Sequence, residues 1–340
     1  MIVLGIETSC DETSAAVVRE GTVASNVISS HLVHARYGGV VPELASRAHQ
    51  RLIIDVVDHA LARAGVGKAD LQGIAATHGP GLVGALLVGL NFGKALAYGL
   101  RVPFVGVNHM EGHLYSNFLV PEQPSYPFLC LVVSGGHTMI VHVTGPFRHT
   151  VLGQTRDDAA GEAFDKVAKM MGLGYPGGPA IEGQAKLGNP AAIDFPRALL
   201  HPESYDFSFS GIKTAVLYYL KDRGLMNVAP GPATGDRSWV PDVCASFQAA
   251  VVEVLVEKTI RAAKETGVRD ITLAGGVSAN SRLRQDLADA AGRIGCRMFS
   301  PPLEYCMDNG AMIGYVGWLK FARGVTSPLD LEAVANLDIT

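Results

Sequence analysis

Val105–Ser116 reads VGVNHMEGHLYS, and Phe128–Val143 reads FLCLVVSGGHTMIVHV. The first stretch ends an apolar strand at Asn108 and opens a helix, for which asparagine is a favoured N-cap. His109 and His113 stand four apart, so they share one helical face with Cβ atoms roughly 6 Å apart. Two imidazoles at that spacing can both reach one divalent metal. The second stretch is a strand, a polar Ser134-Gly135-Gly136 turn and a returning strand. Glycine there lets backbone N–H groups close on an anionic or planar ligand. A histidine pair beside a glycine hairpin describes an open site that handles anions.

The hairpin has a counterpart earlier in the chain. IVLGIE (2–7) and SAAVV (14–18) read as strands flanking the polar turn Thr8–Thr13. Two hairpins of one design, about a hundred residues apart, point to a duplicated domain. Between them, residues 42–65 read as a helix with Leu44, Ala48, Leu52, Val56, Ala60 and Ala64 on or near one face and Gly65 as its stop. A buried strand follows at 71–77. His78-Gly-Pro-Gly then leads into an apolar helix containing Gly84, Gly89 and Gly93. Each glycine costs about 1 kcal/mol against alanine in a helix interior, which close packing would offset. Residues 102–107 are the next strand, and the alternation of strand and helix makes an α/β layered fold.

Beyond the second hairpin, residues 157–172 read as a helix whose apolar face is Ala160, Phe164, Val167 and Met171. A rigid turn at 174–179 precedes a short helix carrying Glu182. Residues 207–220 have aromatic strand character and then turn helical from Ser210. A surface loop is expected over 227–241 and a long amphipathic helix over 243–266. Residues 270–287 form a buried strand, the Gly275-Gly276 turn and a helix, a unit that admits a ligand at a helix N-terminus. Asp308 or Asn309 caps a final helix.

Composition narrows the class. A chain of 340 residues has room for two domains, each with its own core. With 48% hydrophobic and 18% charged residues and 39 glycines, it fits a compact soluble protein with many tight turns. No apolar run is expected to reach membrane-spanning length, and MIVLGIETSC reads as a first core strand rather than a leader. No membrane association is expected. The five cysteines are odd in number and lack C-x-x-C spacing, which argues against a disulfide framework or zinc ribbon and for a reducing cytoplasm. A net charge of −4 argues against strong autonomous nucleic-acid binding. A local basic cluster such as Arg282 with Arg284, or a partner, would have to hold a polyanion.

Each candidate residue also has a plainer reading. A histidine pair at helical spacing is more often structural than metal-binding. The zinc-protease helix is H-E-x-x-H, whereas here Met110 follows His109 and Glu111 comes one place late, turned away from the base position. A protease is therefore disfavoured. Asp308 would complete a two-histidine, one-carboxylate set with open positions, suited to iron(II) or zinc, or it could serve only as a helix cap. Asp11 and Glu12 are either solvated turn residues or phosphate-facing groups, and Asp165 with Lys166 could be a surface ion pair.

Taken together, the two hairpins and the strand–glycine–helix loop resemble the actin, Hsp70 and sugar-kinase (ASKHA) superfamily. The stretches GIETSCDET, YGGVVPELASRAH, GPGLVGALLVG, HMEGH, LVVSGGHT, DDAAGEAFDKVAK, YPGGP, FSFSGIKT, LAGGVSAN and DNGAMIGYVG, which span residues 5–317, resemble the universal tRNA threonylcarbamoyladenosine transferase family. The implied fold is two duplicated ribonuclease-H-like domains with a ligand cleft between them. The lobes are expected at 1–107 with 309–340, the last helix crossing back, and at 108–308, carrying the metal and substrate loops.

By that resemblance His109, His113 and Asp308 are metal ligands, holding Fe2+ or Zn2+. Val132, Val133, Ser134, Gly135, Gly136, Asp165, Gly178, Glu182 and Asn280 line the substrate site, and ATP with Mg2+ is a further ligand the cleft would admit. Asp11 or Glu12 would accept the amine proton or hold a second nucleotide. The implied reaction moves a threonylcarbamoyl group from threonylcarbamoyl-AMP to the exocyclic amine of the adenosine 3′ of the anticodon, in tRNAs reading codons that begin with adenine. AMP is released. The implied partners are TsaB as a heterodimer across a helical face, the ATPase TsaE, and a TsaC-type synthase upstream. The competing readings are an actin-like ATPase or small-molecule kinase, which needs no histidine pair because carboxylates and water hold its Mg2+, and a non-catalytic scaffold.

Overall fold

After its first residue, every position of β1 (Ile2–Glu7) is buried, as a strand covered on both faces requires. It pairs antiparallel with β2 (Glu12–Arg19) and parallel with β4 (Gly73–Gly79). β3 (Thr22–Ser30) joins the far side of β2 antiparallel, and β5 (Phe104–Asn108) joins β4 parallel, giving the order β3-β2-β1-β4-β5. Around this sheet lie α1 (Pro42–Ala64), α2 (Val83–Leu100), α3 (His109–Tyr115) and α9 (Gly310–Phe321). These details come from a computed structural model that describes residues 1–30, 41–198, 204–225 and 237–339.

The second sheet repeats the first. β6 (Phe128–Val133), β7 (Thr138–Gly145) and β8 (Arg148–Gln154) form the antiparallel meander, and β9 (Asp270–Ala274) and β10 (Arg297–Phe299) add in parallel on the other side of β6. Its order, β10-β9-β6-β7-β8, is the first sheet's order with the strands renumbered. The expected duplication is therefore present at the level of topology. The helices of this half are α4 (Ala160–Met170), α5 (Gly177–Ala185), α6 (Ser210–Asp222), α7 (Val240–Thr266) and α8 (Ser281–Arg293).

The chain divides into two compact units, Met1–Glu122 with Pro301–Thr340, and Gln123–Ser300. The first unit thus runs past the expected break at 107 and resumes before 309. It does so because α3 packs on α9, and it takes His109, His113 and Asp308 with it.

Several local expectations shift. The buried face of α1 is Ala45, His49, Ile53, Val56, Val57, Ala60 and Leu61. Leu44, Ala48, Leu52 and Ala64 are only half-buried. The helix is rotated to bring His49 inward, where it bonds the Thr13 hydroxyl at 2.8 Å and the Cys10 carbonyl at 3.0 Å. Gly65 stops α1 as read, in a left-handed conformation with φ 64°.

Contrary to the expectation that no apolar run would suffice, α2 is long and apolar enough to cross a membrane by length and composition. It instead packs on the sheet through Ala85, Leu86, Gly89, Leu90, Gly93 and Ala97. Gly89 allows this: a Cβ there would collide with Thr8, whose hydroxyl donates to the Ala85 carbonyl at 2.9 Å.

α4 starts at Ala160 rather than 157 but buries the expected Ala160, Phe164 and Val167, with Met171 just past its end. The aromatic strand expected near 207 is reduced to one isolated bridge, Thr155 with Phe207. The loop expected over 227–241 lies outside the described residues as far as 236, and Val240 already begins α7. Residues 37–40 of the YGGVVPELASRAH stretch also lie outside them.

Candidate active site

β5 delivers Asn108 to the start of α3. Its side-chain oxygen accepts from the Met110 N–H at 2.8 Å and the Glu111 N–H at 3.4 Å, the N-cap the residue type promises. All seven residues of α3 are buried. His109 and His113 meet edge to face with ring centroids 4.7 Å apart. Their Nε2 atoms lie 3.4 and 3.1 Å from one oxygen of Asp308. The three ligand atoms fall within 4.8 Å of one another.

The choice between Asp308 and Asn309 resolves clearly. Asn309 caps α9, accepting from Met312 N–H at 3.0 Å, so Asp308 is left to face the histidines.

Behind His109 stands Glu7, fully buried at the end of β1. One of its oxygens is 3.0 Å from His109 Nδ1 and accepts from the Thr77 hydroxyl at 2.6 Å, and the other accepts from the Ser9 N–H. A carboxylate on Nδ1 fixes the tautomer and leaves Nε2 for a ligand, the usual second layer of a histidine metal site. His113 Nδ1 is buried without a hydrogen-bond partner.

Burial alone would raise the carboxyls of Glu7 and Asp308, but the histidines outweigh it. Both groups are held below their ordinary range, Glu7 by His109 and Thr77, Asp308 by His109 and His113. His109 is correspondingly pushed up by Asp308 and Glu7 against the effect of burial. Two imidazole nitrogens and an ionised carboxylate converging on one point fit a divalent ion with open positions.

Asp11 and Glu12 belong to the same unit, on the turn into β2. Asp11 is half-exposed and Glu12 is 5% exposed. Burial, then the charges of Asp308 and Asp11, pushes Glu12 up to about 10. Glu7, Ser9, Thr77 and His49 escaped the sequence reading. The available signal was Glu7 itself, the lone charge in the apolar run IVLGIE.

The remaining candidates gather in the second unit. Val132 and Val133 end β6 with their side chains in the core. At the turn, the Ser134 hydroxyl accepts from His137 N–H at 3.1 Å, and the Ser134 carbonyl accepts from Gly161 N–H at 3.2 Å. Gly135 and Gly136 are exposed, with open space where a side chain would stand.

Gly275, with φ 87°, crosses so close to β6 that a Cβ would stand 2.5 Å from the Val133 carbonyl oxygen. Asn280 caps α8, accepting from Leu283 N–H at 3.0 Å, and donates to Gln248 at 2.8 Å. Glu182 accepts from the Ser281 N–H at 3.1 Å. Asp165 accepts from the Gly177 N–H at 2.7 Å, and Gly178 follows with open space beside it. Lys166 pairs with Asp158 and Glu162 rather than with Asp165.

The structure therefore joins the Ser134–Gly136 turn to the start of α4 and the Gly275 turn to the end of β6, and ties the start of α8 to Glu182 of α5. Helix N-termini and glycine turns together favour bound anions.

A family profile described as TsaD, tRNA N6-adenosine threonylcarbamoyltransferase, matches residues 21–315. A tRNA N6-adenosine threonylcarbamoyltransferase of Salinibacter ruber is 54% identical over 345 residues, covering 100% of this chain and 100% of its own. One from Clostridioides difficile is 51% identical over 341 residues, covering 100% of this chain and 98% of its own.

Two solved structures share the architecture. Full-length HypF in its phosphate- and nucleotide-bound form aligns with TM-score 0.59 at 14% identity, over 94% of this chain and 46% of that one. The activator of 2-hydroxyisocaproyl-CoA dehydratase from Clostridium difficile with bound ADPNP aligns with TM-score 0.51 at 11% identity, over 96% and 99%. Both are ASKHA-fold proteins, and at these identities they establish that fold here.

Proposed function

The chain belongs to the TsaD family of tRNA N6-adenosine threonylcarbamoyltransferases, and from that premise we propose that His109, His113 and Asp308 hold the divalent metal of the transfer site. It is a tRNA-modifying transferase. The convergence of two Nε2 atoms on Asp308, with Glu7 orienting His109, carries the metal reading. The donor set suits Fe2+ or Zn2+.

The donor, threonylcarbamoyl-AMP, is a mixed carbamoyl-phosphate anhydride, so AMP is a good leaving group. The adenine amine nitrogen attacks the carbamoyl carbon, the bond from that carbon to the phosphate oxygen breaks, and AMP leaves with the electron pair. The protein must polarise the carbonyl, hold the phosphate and position a weak nucleophile. A metal at this centre would supply Lewis acidity toward phosphate or carbamoyl oxygens.

The chain's own residues supply the rest. Backbone N–H groups of Gly135 and Gly136, in the turn that Ser134 opens after the Val132-Val133 strand end, hold threonyl or phosphate oxygens, the Ser134 N–H being taken by the His137 carbonyl. Asp165 and Glu182 serve ribose hydroxyls near Gly178, and Asn280 with the Gly275-Gly276 turn serves the adenosine end. Asp11 or Glu12 takes the amine proton.

We place the reaction in the cytoplasm with tRNA, fed by a TsaC-type synthase and assisted by TsaB and TsaE. The net charge of −4 supports a share of the tRNA grip falling to partners. The exposed Ile54 of α1 and Val83 and Leu87 of α2 offer an apolar helical face to TsaB. ATP with Mg2+ is the other ligand the glycine turns would suit.

Asp308→Ala tests the metal assignment. Wild type is expected to carry one divalent ion per chain, and the folded variant is expected to lose it. Unchanged metal content in the variant would remove Asp308 from the ligand set.

A further inference from the structure

HMEGH contains one charged residue that the metal centre does not use. Glu111 is two positions after His109, so it points from the far side of α3. There it is buried and forms an ion pair with Lys320 of α9, Oε2 to Nζ 2.8 Å, the two side chains being 10% and 16% exposed. Lys320 Nζ also lies 3.5 Å from the Gly106 carbonyl on β5, the strand that feeds α3. The neighbouring Gly112 closes the same seam: a Cβ there would stand 3.0 Å from Met312 Cγ and 3.1 Å from Ile313 Cδ1, both on α9.

A helix of seven residues does not hold itself in water. The rotation of α3, and with it the aim of both imidazoles, therefore depends on what its back face grips. That grip falls on α9, the helix entered directly from Asp308. The two segments that supply the ligands are thus tied together a second time, behind the site.

We infer that the Glu111–Lys320 ion pair is a positioning device for the metal centre, setting α3 against α9 so that His109 and His113 meet Asp308. Neither residue touches a ligand position. The inference rests on the metal reading above and concerns how that site keeps its geometry.

The test titrates cobalt(II) into metal-free, full-length protein and reads the dissociation constant and the visible ligand-field spectrum, with a thermal melt beside each variant. Glu111→Gln and Lys320→Met are both expected to weaken cobalt binding by about tenfold or more, as loss of outer support does at histidine sites, and to alter the spectrum. Simple charge effects predict something else: removing a cation near the site should tighten cobalt binding, and removing an anion should weaken it. Lys320→Met is therefore decisive. If it binds cobalt as well as wild type or better, the positioning role is overturned, whatever happens to the melting temperature. Should Lys320→Met not fold, Lys320→Gln, uncharged and too short to span the gap, takes its place with the same two outcomes. Wild type that binds no cobalt would overturn the metal reading itself, and this inference with it.

Discussion

A fully buried carboxylate must be partnered or it costs several kcal/mol. Glu7 is partnered by His109, Thr77 and Ser9. Glu7→Ala would leave His109 Nδ1 without its carboxylate, with the uncharged Ser9 hydroxyl 3.2 Å away as its remaining partner and the ring less firmly held. The expected result is a folded protein, destabilised by about 1–3 kcal/mol, whose metal affinity falls by about 10–100-fold. Cobalt titration and a urea melt check the two halves of that statement, and an unchanged affinity would reduce Glu7 to a core residue.

At this scale the sequence exposes what spacing exposes. His109 and His113 are legible because four residues make a helical face, and Asn108 because a cap has a preferred residue type. Glu7 stands out only as the lone charge in an apolar run, and its partner is not legible, since a strand-ending glutamate looks the same whether it meets a histidine or water. Asp308 and Asn309 could not be told apart until Asn309 was seen accepting from Met312.

Among the elements, the turn after β9 depends most on one residue. Gly275 has φ 87° and passes 2.5 Å, measured from a Cβ, from the Val133 carbonyl oxygen. Gly275→Ala faces both a disfavoured backbone and a clash with a central strand, and is expected to cost upward of about 1–3 kcal/mol. A fall in melting temperature would show it; a melting temperature equal to wild type would mean the turn relaxes freely.

The approach to α4 makes a pH prediction. Burial would raise Asp158, but hydrogen bonds and charge from Lys166 and Lys213 outweigh it and hold the carboxyl below its ordinary value. A carboxyl lowered on folding stabilises the native state above its unfolded pKa, about 4, and loses that contribution as pH falls through its folded pKa. Asp158→Asn should therefore flatten the acid limb of a plot of urea midpoint against pH and leave the two lysines without their shared anion. An acid limb as steep as wild type would contradict it.

The periodic helices were legible as elements, but their edges and orientation were less so. The face of α1 was read from its aliphatic residues, and the structure turns it so that His49 is buried. β3, β8 and β10 were missed because TVASNVISS and RHTVLGQ alternate poorly and three residues of β10 are too few for a pattern.

For the molecule as a whole, the repeated hairpin was the visible trace of duplication, and the two sheets complete it with the same strand order. What hid the extent of the repeat was β3, β8 and β10, whose identity comes from hydrogen bonding to neighbours rather than from side-chain pattern. The unit boundary was hidden for a related reason. Asp308 lies far from α3 in sequence, yet α9 folds back on α3 and carries both into the first unit. The proposed metal centre is thus assembled by topology from β1, α3 and the start of α9, while the glycine turns proposed to hold the donor's anionic groups belong to the second unit.

The most direct measurement is transfer of labelled threonine into tRNA from preformed threonylcarbamoyl-AMP, with purified partners, comparing wild type with a folded His109→Ala/His113→Ala double variant. Label in wild type and none in the variant is the predicted result. Label in both at equal rates would contradict the account, because the reaction would then proceed without the site on which the proposed mechanism rests.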